Sequence, residues 1–314
     1  MGCLFVLLAA LLHLHADQGW EGHSLDLNWE NDATRGSDRH YTQGARIRYL
    51  SSDEAAPGWL RSLSQSIPTL WFQSSAVKFG VEVGQELYTP QDLETAAPVP
   101  NDQPYAGWFY GSFALQRRGP GPGGLLVMEQ LRLDLGVIGP ESLGEETQKV
   151  WHGRDPLGWD NQLETEVGFA VRYDRQYLLR AKSQTRWTAD FIPALNASAG
   201  SVDTHLRLGA MTQLGYNIPN RFEAHGRKTE KQFGIYLFVG GGGRFVARNI
   251  FLDGNTWRSS QSVDKKFIVG DASMGLTVVL KFLELTASNN YRTLEFKRQK
   301  GADSYGSVTL TFKF

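Results

Sequence analysis

The stretch Ser307-Val308-Thr309-Leu310-Thr311-Phe312-Lys313-Phe314, "SVTLTFKF", decides the fold class. Val308, Leu310, Phe312 and Phe314 fall on one face and Ser307, Thr309, Thr311 and Lys313 on the other, the period-2 alternation of a β-strand with one apolar side. The same alternation recurs upstream. "LRLDLGV" sets Leu131, Leu133, Leu135 and Val137 against Arg132 and Asp134. "YTQGARIRYL" alternates Ala45, Ile47 and Tyr49 with Gly44, Arg46 and Arg48. "VKFGVEVGQELY" sets Val77, Phe79, Val81 and Val83 against Lys78, Gly80, Glu82 and Gly84. No helical heptad and no domain linker interrupts the series.

A half-buried soluble sheet and a membrane barrel both produce this pattern. Three features favour the barrel over a secreted soluble barrel or sandwich. The alternating runs are long, about 10–14 residues, enough to cross a bilayer at a steep tilt. Their polar face carries Arg, Lys, Asp and Glu, as a wet lumen permits. The chain ends inside a strand on Phe314, which resembles the C-terminal signature of bacterial outer-membrane barrels. Strands are expected at about 24–31, 41–52, 76–88, 104–117, 124–138, 160–174, 178–195, 203–216, 231–248, 267–280, 283–297 and 305–314. The expected fold is therefore all-β, a transmembrane antiparallel β-barrel of about 12 strands, an even number as in single-chain bacterial barrels.

Composition agrees. With 34 Gly, 9 Trp, 11 Tyr and 17 Phe in 314 residues, the chain suits strands and turns. Lys and Arg total 32 against 33 Asp and Glu, which argues against nucleic acid as a partner. The single cysteine, Cys3, excludes intramolecular disulfides and multi-cysteine metal sites. The apolar run Cys3 to Leu12 followed by Leu14-His15-Ala16 reads as a signal-peptide core with cleavage after Ala16, although no Lys or Arg precedes it. A short buried N-terminal helix is the other reading. This leaves 1–16 as signal peptide and 17–314 as one barrel domain.

An even strand count places both termini on the periplasmic side, so the first, third and fifth connections (32–40, 89–103 and 139–159) face outward. Each carries a polar cluster: "NDATRGSDRHYTQG" from Asn31, "NDQPYAGW" from Asn101, and Trp151-His152 through Trp159-Asp160-Asn161-Gln162. Topology alone should gather them at the outer mouth, where the active site is expected. The inward segment 53–75 is long for a periplasmic turn. Trp59, Leu60, Leu63 and Ile67 have helical spacing, which suits either an amphipathic helix at the inner interface or a plug against the barrel floor.

The pooled clusters offer Asn31, Asp32, Asp38, His40, Thr42, Asp102, His152, Asp155 and Asp160. There is no Gly-x-Ser-x-Gly elbow and no His-Glu-x-x-His motif. A histidine with carboxylates, amides and hydroxyls suits a hydrolase in which His activates water and a hard cation polarises an ester carbonyl. Oxygen donors point to calcium rather than zinc, and an amide such as Asn31 can stabilise an oxyanion. Asp and Asn in loops equally make turns and cap strands, and His152, between Trp151 and Gly153, equally suits an interface.

"END" at 30–32, "DRHYTQGARI" at 38–47, "NDQPYAGW" at 101–108, "GVIGPESLGEETQKVWH" at 136–152 and "GWDNQLETE" at 158–166 together resemble the outer-membrane lipid A 3'-O-deacylases. The resemblance implies a twelve-stranded barrel in the bacterial outer membrane and a calcium-dependent hydrolase that removes an ester-linked acyloxyacyl chain from lipid A or lipopolysaccharide. It implies His152 as the water-activating base, Asn31 and Asp32 as oxyanion and calcium positions, and Thr42 as the hydroxyl opening the second strand. It implies Ca2+ as cofactor and the outer membrane as setting; a monomer is the expected state. Two positions depart from the family. Segment 89–100, "TPQDLETAAPVP", lacks the lysine of its best-known members, and Asp155 is the nearest acidic residue after His152. An outer-membrane phospholipase using the same chemistry and a non-enzymatic barrel are the rival readings. The bulky inward charges Arg46, Arg48, Glu82, Arg132 and Asp134 suggest a filled lumen rather than an open pore.

Overall fold

A computed structural model of the chain describes residues 22–32, 39–152, 156–223 and 233–314, with the backbone alone at 151 and 152. The signal-peptide reading, Asp38 and Asp155 lie outside these residues. Twelve strands follow in order: β1 (Ser24–Asn31), β2 (His40–Leu50), β3 (Ala76–Thr89), β4 (Ala106–Pro120), β5 (Leu126–Ile138) and β6 (Glu166–Arg180). The second half is β7 (Trp187–Gly200), β8 (Asp203–Tyr216), β9 (Phe233–Asn249), β10 (Ile268–Leu280), β11 (Leu283–Arg292) and β12 (Asp303–Lys313). Each strand pairs antiparallel with its sequence neighbours, and β1 pairs with β12 from Ser24↔Lys313 to Asn31↔Gly306, closing the barrel.

Closure leaves no free sheet edge, so backbone groups crossing the membrane are satisfied within the sheet. The alternation read from sequence is the alternation observed. Val81, Val83, Phe109, Phe113, Leu133 and Leu135 stand exposed on the outer face, where they meet acyl chains. Inward, charges compensate one another: Arg46 pairs with Glu30, Arg132 with Glu82 and Asp134, and Arg172 with Asp134 and Asp203. A polar cavity of about 950 Å³ remains in the lower lumen, among Asp26, Arg48, Gln130 and Arg207.

The upper lumen is closed by aromatic packing. Tyr41, Tyr88, Trp108, Tyr110 and Ile138 form one buried cluster with Ile250 and Phe251 of the single-turn helix Ile250–Asp253, which folds into the mouth. Tyr88 stacks on Phe251 with ring centroids 3.9 Å apart.

Two strands differ from expectation. β6 spans Glu166–Arg180 and β7 Trp187–Gly200, six to nine residues later at their starts than the alternation suggested. The fifth connection is correspondingly longer and contains α2 (Gly144–His152) and a 3-10 turn, Trp159–Asn161. The inward segment holds α1 (Gly58–Ser66) and packs on the outer face of the wall rather than in the lumen: Leu60 and Ile67 meet Leu115, Val77 and Phe79.

Candidate functional site

The first wall of the site is the lipid side of β1 to β4 at their outer ends. Asp26, Asn28 and Glu30 point into the lumen, so alternation directs Leu25, Leu27, Trp29 and Asn31 outward. Asn31 is nevertheless buried, as is Asp32 beyond it. The Asp32 amide donates to the Thr42 carbonyl at 3.3 Å, and its carboxylate accepts from the Arg39 amide at 2.7 Å.

In β2 the register slips: Tyr41 faces Tyr88, but Gln43 faces Leu87. The residue left over is Thr42, the extra residue of a β-bulge. Tyr41 keeps its inward direction, with its hydroxyl donating to Glu30 Oε2 at 2.5 Å. Thr42 instead shares a 2.7 Å hydrogen bond with Thr89 Oγ1, next in the outward series Gln85, Leu87, Thr89 on β3. The bulge thus adds a hydroxyl to a wall that also carries Asn31 and Gln43. Thr42, Gln43, Leu87 and Thr89 are all buried.

The second wall is α2. Its first residue, Gly144, sits against Gly107 of β4 so closely that a Cβ on Gly107 would stand 3.2 Å from Gly144 Cα and collide with Ser142 Oγ. A turn later, Thr147 donates to Gln85 Oε1 at 3.0 Å, while Gln85 Nε2 donates to the Ser142 carbonyl at 2.6 Å. Trp159 closes the far side, its indole N–H donating to Gln148 Oε1 at 2.7 Å. The helix therefore stands off the membrane-facing side of the barrel over a buried polar floor. His152 ends α2; its side chain lies outside the described residues.

The three polar clusters do meet. The third and fifth connections are joined by the Leu157 amide to the Leu93 carbonyl at 3.1 Å and by Asn161 Nδ2 to the Ala96 carbonyl at 2.7 Å. The first and third meet at His40, whose Nε2 lies 3.2 Å from Asp102 Oδ1 while Nδ1 lies 2.8 Å from Asp303 Oδ1. His40 sits above the apolar band, which on β2 begins at Ala45. Burial alone would lower its pKa, but the two carboxylates outweigh that and raise it to about 9. Asp102 is pushed up by burial yet held below its usual value by His40 and by the Gln91 and Gln103 amides. His40 is thus a charged tie between loops. Asp160 is exposed at the rim.

Around Asp32 the available donors are oxygens: its carboxylate, the Asn31 and Gln43 amides, and backbone carbonyls. Among the described residues no group of three or more His, Cys, Asp or Glu is arranged to hold a metal ion. That set fits calcium, which accepts amide, carbonyl and water oxygens in place of extra carboxylates. Gln43, Gln85, Gln148 and Trp159 were not singled out from sequence. For Gln148 a signal existed: it lies four residues before His152 in the sequence, the spacing of neighbours along a helix.

A family model described as "Outer membrane protein LpxR" matches residues 3–314. Among solved structures, LpxR from Salmonella typhimurium aligns with a TM-score of 0.73 and 20% identity, covering 93% of this chain and 100% of that one. The β domain of the Bordetella autotransporter BrkA aligns at a TM-score of 0.49 with 11% identity, covering 94% of this chain and 100% of that one. No curated protein matches significantly.

Proposed function

The chain belongs to the LpxR family of outer-membrane proteins, and from that premise we propose that it is a lipid A deacylase of the outer membrane. It would hydrolyse an ester-linked acyl chain of lipid A, with water activated by His152 and calcium held at Asp32. The observation that carries this reading is the position of the buried polar floor. Asn31, Thr42 and Gln43 are buried at the outer ends of β1 and β2, beside β3, whose Gln85 α2 covers. A lipid in the outer leaflet reaches that cleft laterally, and its head group then faces the polar connections.

Each residue's part follows from its place. α2 crosses from β4, at Gly107, to β3, at Gln85. From Thr147 to His152 the helix rises about 7.5 Å at 1.5 Å per residue, more than the roughly 4.8 Å between neighbouring strands. On this reading α2 would keep that direction to its end, and His152 would act on the β2 side of the cleft, toward Thr42. An imidazole there can take the proton of a water poised against the ester carbonyl. The Asn31 amide faces the same cleft and can donate to the oxygen that gains charge. Thr42, fixed by Thr89, positions substrate. Bound calcium would supply positive charge against the developing oxyanion.

A phospholipase would use the same groups on glycerolipids, so the test includes both substrates. The pore reading is disfavoured by the aromatic seal across the mouth. The experiment is mass spectrometry of lipid A from a host that assembles the barrel, with His152→Ala in parallel and a chelator added to a detergent assay. Loss of one acyl chain, abolished by both, supports the reading. Intact lipid A beside hydrolysed phospholipid, from a folded barrel, would replace it with the phospholipase.

A further inference from the structure

Segment 53–75 lies at the periplasmic end, between β2 and β3, and takes no part in the cleft. Val77, Phe79 and Leu115 alternate with lumen-facing Lys78 and Gln116, so they belong to the lipid side of the wall. Leu60 and Ile67 cover them. Just below, the same side of the wall carries Arg117, Glu129 and Arg175, charges that are costly against acyl chains. They pair with one another, and Tyr173 donates to Glu129 Oε2 at 2.8 Å.

The segment seals this cluster with its own backbone. Arg117 donates to the carbonyls of Ser64 at 2.7 Å, Ile67 at 2.6 Å and Pro68 at 3.0 Å. Arg175 donates to those of Thr69 at 3.2 Å and Leu70 at 2.6 Å, and its guanidinium lies 5.3 Å from the Phe72 ring. The carbonyls at and beyond the end of α1 therefore find donors beside the membrane, as that environment demands.

Facing away from the wall, the segment is apolar where lipid continues and polar elsewhere. Trp59 is 64% and Leu63 48% exposed, one turn apart on α1; Leu70 is 53% and Trp71 84% exposed just after it. Ser62 and Gln65 occupy another exposed side. The apolar residues extend the wall's exposed belt at Val81 and Phe113. We propose that residues 53–75 form a membrane anchor whose Trp59, Leu63, Leu70 and Trp71 lie among the glycerophospholipids of the periplasmic leaflet. Amphipathic helices with aromatic residues settle at this depth. The anchor holds the barrel's inner rim at fixed depth and keeps the Arg117–Glu129–Arg175 cluster out of lipid.

The test labels single cysteines with an environment-sensitive fluorophore in a Cys3→Ser background. Trp59→Cys, Leu63→Cys and Trp71→Cys are compared with Ser62→Cys and Gln65→Cys in phosphatidylethanolamine/phosphatidylglycerol nanodiscs. The expected result is loss of emission with phospholipids brominated near the head group at 59, 63 and 71, and loss with aqueous iodide at 62 and 65. Iodide quenching at 59 and 71 equal to that at 62 overturns the proposal. So does protection of those sites only in native outer membranes, which would assign the surface to a protein partner. If Trp59→Cys fails to fold, Trp71→Cys, at a more exposed position, decides alone. No residue of the hydrolytic cleft is touched, so this outcome is separate from that of the lipid A assay.

Discussion

His40 and Asp102 share a hydrogen bond across the mouth, Nε2 to Oδ1 at 3.2 Å, although one opens β2 and the other lies between β3 and β4. The same ring reaches Asp303 of β12 at 2.8 Å. One imidazolium thus ties three outer connections together.

The tie is pH-dependent. A base whose pKa is raised on folding stabilises fully below its unfolded value, about 6.5, and that contribution is lost as pH rises through about 9. Asp102, held low, contributes above its unfolded value, about 3.9, and loses that contribution as pH falls. Between these limits the mouth should be tightest. Proteolysis of connection 90–105 in detergent should accelerate from roughly pH 6 to pH 9.5. His40→Asn, which tolerates the left-handed backbone at that position (φ 61°) but carries no charge, should flatten the profile. An unchanged profile in that variant would assign the pH effect elsewhere.

The seat of α2 on the wall is testable without touching a reactive group. A Cβ on Gly144 would stand 2.7 Å from the Trp159 ring, and overpacking of this kind costs about 1–3 kcal/mol. Gly144→Ala should lower lipid A hydrolysis while leaving barrel assembly, read as heat-modifiable mobility on gels, intact. Full activity in this variant would mean that α2 need not sit against β4 for catalysis.

At the polar floor, Asn31→Ala removes the proposed oxyanion donor and should reduce turnover by about 10²–10³-fold. Its KM should change much less than its kcat. Asp32→Asn instead should raise the calcium concentration needed for half-maximal activity. Equal calcium dependence in Asp32→Asn and the parent chain would remove Asp32 from the metal site.

Much of this arrangement was legible in the sequence because membrane strands alternate so regularly. β1, β3 and β8 begin where the pattern places them, and the even count alone brought three polar clusters to one end. β6 and β7 were displaced for physical reasons. Arg175 puts a charge on the lipid side of β6, where alternation expects an apolar residue, and its capping by Thr69 and Leu70 carbonyls together with its pairing to Glu129 makes that tolerable. The polar run after Trp159 imitates a strand's entry but packs over connection 90–105. At the site, the Asn31-Asp32 pair stood out by composition. Thr42 faces the cleft only because of a bulge, and Gln85 becomes a site residue only because α2 folds back over it.

The closed mouth makes a last prediction, separating catalyst from channel. Above the polar cavity, Tyr41, Tyr88, Trp108 and Tyr110 pack with Phe251 into a buried aromatic layer. Below it, Arg118 donates to the Arg221 and Glu223 carbonyls at 2.9 and 3.0 Å, drawing the β8–β9 connection across the floor. Ions crossing the barrel would have to part both layers. Planar bilayers containing the folded protein should stay non-conducting under an applied potential. Phe251→Ala, which removes the ring stacked on Tyr88, should admit brief openings without abolishing hydrolysis, since the cleft lies on the other side of the wall. Steady conductance in the unaltered protein would mean that the aromatic layer is no seal and would restore the pore as a function.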